Sequence, residues 1–221
     1  LVGDSLANVL YGQKNTHQVS LQNIIDHTLS VKMGTKNSLL VADMPKGSYK
    51  NIKLAVKNAI QVIKKTGCDA IKIENHKNNY KIIKHLVEKK IPVMGHIGYT
   101  PQFKKKFKIE GKTLLETQKL LKEAKLIEKS GAFSIVLECL SPNSAKTITN
   151  KLNIPTIGIG SSLYCDGQIL VTDDMLGLSG FYPKFVKKYV FLDRIIRNAV
   201  KKYAREVKNN QFPSKKNFLH G

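Results

Sequence analysis

The feature that most constrains this chain is an alternation: short β-branched runs closed by a polar residue are separated by stretches with helical spacing of apolar residues. The run Asp69-Ala70-Ile71-Lys72-Ile73-Glu74 shows it best. Side chains alternate along a strand, so Lys72 and Glu74 share one face. Ile71 and Ile73 take the other, where an apolar layer would cover them. One helical pattern ends before it at Gly67 and another begins near Asn78, which is the βαβ setting of a parallel sheet. Opposite charges on the closed side of a sheet are costly unless paired, metal-bound or aimed at a ligand, so this strand is either a structural ion pair or part of a site.

The pattern repeats along the chain. Residues 1–5 read as the end of a strand, and a helix follows with Ser20 as N-cap, Leu21, Ile24, Ile25 and Leu29 on one face, and Gly34 as its stop. Strands are expected at 39–43, 69–74, 91–96, 133–138, 154–160 and 169–172. Helices are expected at 51–65, 80–89, 114–129, from Ser141-Pro142 to about Leu152, and over 184–208 before a polar tail at 209–221.

These strands close on Asp4, Asp43, Glu74, His96 and Glu138, and on the glycines Gly158 and Gly160. A (β/α)8 barrel gathers its active site at the C-terminal ends of its strands, whereas a doubly wound sheet uses one crevice and gives no reason for polar groups on five strands. The expected fold is therefore α/β, a single (β/α)8 TIM-barrel domain over 1–221 that lacks the first strand and helix.

The formal net charge of +21 would suggest nucleic acid, but the basic residues are 34 Lys and only 3 Arg. Base and phosphate recognition lean on Arg, and the lysines are spread over the helices, with only Lys104-Lys105-Lys106 forming a tight run. Solvated lysines on outer helix faces explain the charge, and no nucleic-acid partner is expected. No apolar run approaches the roughly 18 residues that span a bilayer, so neither membrane insertion nor a secretory leader is expected and the cytoplasm is the default location. Cys68, Cys139 and Cys165 are far apart and never in a C-x-x-C pair, which points to reduced thiols rather than a disulfide frame or zinc site.

Asp4, Asp43 and Glu74 offer hard carboxylate oxygens from three strands, the ligand type that Mg²⁺ takes alongside waters and substrate oxygens. A lone Asp reads better as a cap for the following helix, whereas three strand-end acids together point to a metal or ligand site. His96 can ligate, line the pocket or be a satisfied buried histidine.

Seven ordered blocks then carry a resemblance: Val2-Gly3-Asp4-Ser5, Leu40-Val41-Ala42-Asp43-Met44-Pro45, Ile71-Lys72-Ile73-Glu74, Gly95-His96-Ile97-Gly98-Tyr99-Thr100-Pro101-Gln102, Val136-Leu137-Glu138-Cys139, Ile157-Gly158-Ile159-Gly160 and Asp166-Gly167-Gln168-Ile169-Leu170-Val171. Over its whole length the chain resembles the ketopantoate hydroxymethyltransferase (3-methyl-2-oxobutanoate hydroxymethyltransferase) family. The resemblance implies a (β/α)8 barrel that forms a homo-oligomer, usually a decamer. It also implies transfer of a hydroxymethyl group from 5,10-methylenetetrahydrofolate to 3-methyl-2-oxobutanoate, giving 2-dehydropantoate (ketopantoate) in pantothenate biosynthesis.

The family pattern puts Mg²⁺ on Asp4, Asp43 and Glu74, substrate on Asp4, Ser5, Asp43 and Lys72, and the proton acceptor at Glu138. Those roles make chemical sense: Mg²⁺ stabilises the enolate of a 2-oxo acid, Lys72 adds positive charge beside its oxygens, and Glu138 is free to act as the base. Glu138 shares a face with Val136 and Ser134 and is expected to point into the cavity of Glu74 from across the barrel mouth. Two stretches depart from the family. Phe103 to Lys112 replaces a loop with glycines and an Arg near the folate side, and Gly158-Ile159-Gly160-Ser161-Ser162 replaces Gly-Ile-Gly-Ala-Gly. The alternatives are another Mg²⁺-dependent barrel enzyme of 2-oxo acid carbon–carbon chemistry, or an inactive, non-catalytic remnant.

Overall fold

The computed structural model describes residues 1–104, 106–180 and 182–218. The chain forms two compact units, Leu1–Ile169 and Leu170–Gly221. In the first, β1 (Val41–Asp43), β2 (Ala70–Glu74), β3 (Val93–Gly98), β4 (Ser134–Glu138), β5 (Thr156–Ile159) and β6 (Gly167–Gln168) make one sheet. Its order is β1-β2-β3-β4-β5-β6 and every pairing is parallel. Val2 extends it by a parallel bridge to Ala42, so the Leu1–Ser5 segment does run as a strand end. Sequential order without reversal is the winding of a (β/α)8 barrel, here with part of its wall missing, and is not that of a doubly wound sheet.

Local sequence explains the start of four helices. Ser20 caps α2 (Leu21–Gly34) with a capping box, Asn51 caps α3 (Ile52–Thr66), Thr113 caps α5 (Leu114–Lys129), and Ser141 caps α6 (Pro142–Thr149) with proline just inside the start. The helix between β2 and β3, α4 (Asn79–Glu88), has no side-chain cap. Gly67 ends α3 at φ +64°, a left-handed conformation that suits glycine. Leu29, expected on the buried face of α2, is instead 40 % exposed, while Ile24, Ile25 and Thr28 are buried.

The core has two layers. Ile71, Ile73, Ile97, Ile135 and Leu137 point outward from the sheet and are covered by Ile24, Ala55, Ala59, Val62, Ile83, Leu86, Ala124, Ile127 and Ile148 of the helices. Val41, Ala70, Met94 and Val136 pack on the inner face, with Phe133, Ile157 and Ile159 against them. The alternation that placed Lys72 and Glu74 on one face and Ile71 and Ile73 on the other thus holds along the wall.

Two sequence expectations fail near the C-terminus. The last strand is Gly167–Gln168, not residues 169–172; Thr172 opens a short helix, α7 (Thr172–Leu176), whose first turn carries Asp173 and Asp174. Two acids at a helix start favour the positive end of the helix dipole over continuation of an apolar strand. The terminal helix α8 runs only over Leu192–Lys208, because residues 184–191 are held in an irregular path. Tyr189 donates its backbone N–H to Met175 O at 2.9 Å, and Lys188 Nζ lies 3.5 Å from the Tyr182 ring centroid. Among the described residues no helix is long and apolar enough to cross a membrane. Within the lysine run at 104–106, Lys105 lies outside the described residues.

Candidate active site

The polar residues at the strand ends meet on the inner face. Register sets the order: Asp43 stands opposite Lys72, Glu74 opposite His96, and Glu138 opposite Gly98. Asp4 joins them from the segment that bridges to β1, and Asp4, Asp43, Lys72, Glu74 and His96 are all buried. Lys72 Nζ lies 2.8 Å from Asp43 Oδ1, a buried ion pair, and 3.4 Å from His96 Nδ1. His96 Nε2 in turn lies 3.2 Å from Glu138 Oε2, and its Nδ1 is 3.8 Å from Glu74 Oε1. Glu138 therefore stands on the same wall as Glu74 with His96 between them, not across the mouth as its position on a later strand suggested.

Three acids share one lysine. Burial is the largest influence on each carboxyl and lifts all three pKa values: Asp43 to about 7, helped by Asp4; Asp4 above its ordinary value; and Glu74 well above it. For Lys72 burial opposes the charge, yet Asp43, Glu74 and Asp4 together raise its pKa, so it stays an ammonium. Burial and then Lys72 lower the pKa of His96. Facing the ammonium, the neutral imidazole must accept at Nδ1, which assigns its proton to Nε2, on the Glu138 side.

Asp4 Oδ2 and Glu74 Oε1 are buried oxygens with no hydrogen-bond partner among the described residues, and Asp43 Oδ1 has the Lys72 ammonium beside it. Such oxygens normally find a donor or a cation. As they stand, no three His, Cys, Asp or Glu side chains among the described residues are grouped so as to hold a metal ion. Ser5, half-buried, follows Asp4 directly and makes no side-chain cap for the short helix α1 (Leu6–Val9).

Two residues escaped the sequence reading. Gln102, fully buried, donates its backbone N–H to Glu74 Oε2 at 3.1 Å, and Tyr49, also buried, donates its hydroxyl to Gln102 Oε1. Gln102 lay in a quoted block without a role, and nothing in the pattern marked Tyr49. The loop from Phe103 to Lys112 is tied to the end of β4: Glu110 donates its N–H to Cys139 O, and Lys104 Nζ reaches Gly98 O and Glu110 Oε1 at 2.8 and 2.9 Å. The three cysteines are free and buried.

Solved structures share this fold at low sequence identity. Phosphonopyruvate hydrolase superposes with a TM-score of 0.58 at 14 % identity, covering 99 % of this chain and 78 % of that one. The 2,3-dimethylmalate lyase, a PEP mutase/isocitrate lyase superfamily member, gives 0.57 at 13 %, covering 98 % and 77 %. In sequence, the 3-methyl-2-oxobutanoate hydroxymethyltransferases of Pelagibacter ubique (strain HTCC1062) and Clostridioides difficile (strain 630) are each 49 % identical over 98 % of this chain, covering 84 % and 80 % of their own lengths. The model of ketopantoate hydroxymethyltransferase matches residues 1–215, and with identity at this level over nearly the whole barrel wall, the chain belongs to the ketopantoate hydroxymethyltransferase family.

Proposed function

We propose that this chain transfers a hydroxymethyl group from 5,10-methylenetetrahydrofolate to 3-methyl-2-oxobutanoate, giving 2-dehydropantoate for pantothenate biosynthesis. Family membership supports the reaction, and the observation that carries the site is the set of three buried carboxylates, Asp4, Asp43 and Glu74, gathered around the single ammonium of Lys72. Their number and hardness fit Mg²⁺, which keeps several waters and shares its shell with substrate rather than filling an all-protein cage. When bound, Mg²⁺ supplies the positive charge that these acids lack and polarises the oxygens of a 2-oxo acid.

The residues of the chain do the rest. Lys72, held protonated by its carboxylate neighbours, places a fixed positive charge among the strand-end acids, where negative charge develops on the substrate oxygens. Asp4, Ser5, Asp43 and Lys72 orient the substrate. Glu138 removes the proton at C3, with His96 Nε2 beside it, 3.2 Å from Glu138 Oε2. The carbon then bonds to the methylene carbon of the folate as one of its C–N bonds breaks; water displaces the remaining nitrogen and supplies the hydroxyl, and the C3 proton and the second proton of water end on the two nitrogens of the released tetrahydrofolate. The enzyme works as a homo-oligomer, a decamer by family likeness, which sedimentation tests.

The test is exchange of the C3 proton of 3-methyl-2-oxobutanoate with solvent deuterium, followed by NMR during a Mg²⁺ titration. Exchange should require Mg²⁺ and disappear with EDTA, and ketopantoate should form only when methylenetetrahydrofolate is added. A protein that turns over 2-oxo acids without the folate would instead support the second reading, another Mg²⁺-dependent enzyme of 2-oxo acid carbon–carbon chemistry. The fold shared with 2,3-dimethylmalate lyase favours that reading.

A further inference from the structure

The turn that follows β3 touches every segment that supplies a carboxylate. His17, in the 3-10 turn Thr16–Gln18 after Asp4, places Nε2 3.1 Å from Pro101 O. Gln102 Nε2 donates to Met44 O at 3.0 Å, next to Asp43, and Tyr49 from the same loop fills Gln102 Oε1. The backbone N–H of Gln102 holds Glu74 Oε2, which leaves Oε1 as the oxygen of Glu74 without a partner. Phe103 fixes the turn from outside: its ring stacks on His76 at 4.3 Å and meets Tyr49 edge-on at 6.3 Å. One buried glutamine thus uses its amide nitrogen, its amide oxygen and its backbone N–H on the two loops that carry Asp43 and Glu74. Its neighbour Pro101 is met by His17, in the 3-10 turn that follows the segment of Asp4.

We propose that Gln102, locked by Tyr49, is a positioning residue that sets the spacing of Asp4, Asp43 and Glu74 for a divalent cation. This rests on the reading that those acids hold Mg²⁺. Groups that hydrogen-bond ligating carboxylates orient them, and losing such a group typically weakens metal binding about 10–100-fold. A merely structural role for the pair would lower thermal stability and leave affinity alone.

The experiment measures Mn²⁺ binding by the electron paramagnetic resonance of the free ion, and Mg²⁺ binding by calorimetry. It uses the wild type, Gln102→Leu, Tyr49→Phe and the remote core variant Ile83→Val, all well below their melting temperatures. Gln102→Leu should bind about 10–100-fold more weakly, and Tyr49→Phe should weaken binding in the same direction by less. Ile83→Val should melt earlier with unchanged affinity. Unchanged affinity in folded Gln102→Leu overturns the proposal, as does an equal loss in Ile83→Val. Should Gln102→Leu fail to fold, Tyr49→Phe, which removes a single oxygen, decides in the same way. A wild type that binds neither ion overturns the metal reading itself and the positioning role with it, whereas tight wild-type binding with indifferent variants overturns only the latter.

Discussion

The wall from β1 to β4 and its continuation in β5 and β6 are built on one pattern and end in different states. Every residue of β1, β2 and β3 is buried, as is all of β4 up to Glu138. In β5 the outward Thr156 and Gly158 are buried while the inward Ile157 and Ile159 are only partly so, and β6 is two residues long and largely open. The outward face is covered by helices wherever a helix follows the strand. The inward face is covered by what stands opposite it and by the loops folded over its end. Along β1 to β3 the turn at Thr100–Phe103 and the side chains of the acids supply that cover; at β5 they do not reach. The site's unusual electrostatics belong to the covered half, because the same desolvation that raises Asp43 to about 7 needs walls to exclude water.

The largest effect expected from this contrast is kinetic, at the point where the covered wall opens. Glu138→Gln keeps the shape and removes the proton acceptor, so C3 exchange should fall about 10²–10⁴-fold while Mg²⁺ and 2-oxo acid binding persist. Exchange at the parent rate, read by NMR without folate, would remove Glu138 as the base. The second contrast is in stability. Ile135→Ala empties a fully buried outward position and should cost about 2–5 kcal/mol by urea denaturation, whereas Ile157→Ala, inward and half-open, should cost well under that. Equal costs would mean that the two halves are equally enclosed in solution.

A smaller effect should appear in the pH dependence of the metal-free protein. Asp43 is raised in the folded state from 3.8 to about 7, so its contribution is fully present below about pH 4 and is lost as pH rises through about 7. Asp43→Asn should therefore flatten the fall in melting temperature between about pH 4 and 7, and should also abolish metal-dependent binding of 3-methyl-2-oxobutanoate. A wild type and variant with parallel pH profiles would show that the Asp43 carboxyl is not desolvated as described. The smallest effect is a near-absence of reaction. Burial, reinforced by Glu138, pushes the Cys139 thiol up to about 12, and burial also raises Cys68 and Cys165, so a thiol reagent at pH 7 should label the native protein far more slowly than the urea-unfolded chain.

Sequence by itself determined whatever depends on a short period or on a local hydrogen bond. Alternation put Lys72 and Glu74 inside and Ile71 and Ile73 outside; Ser20, Asn51, Thr113 and Ser141 capped their helices from three residues away; and polar strand ends on successive strands announced a barrel mouth. The same local reading erred where an apolar run met two acids, at Ile169 to Asp174, because there the helix dipole outweighed strand propensity. Only the tertiary structure decided what depends on distant partners. Gln102 meets Glu74 from 28 residues away and Met44 from 58, Tyr49 meets Gln102 from 53, and the proton of His96 is placed by a lysine and a glutamate on the strands either side of it. Such contacts have no period in the chain: they exist because parallel strands in sequential order bring each loop beside the next at one end of the sheet, and only the packed wall excludes enough water to make those neighbours matter.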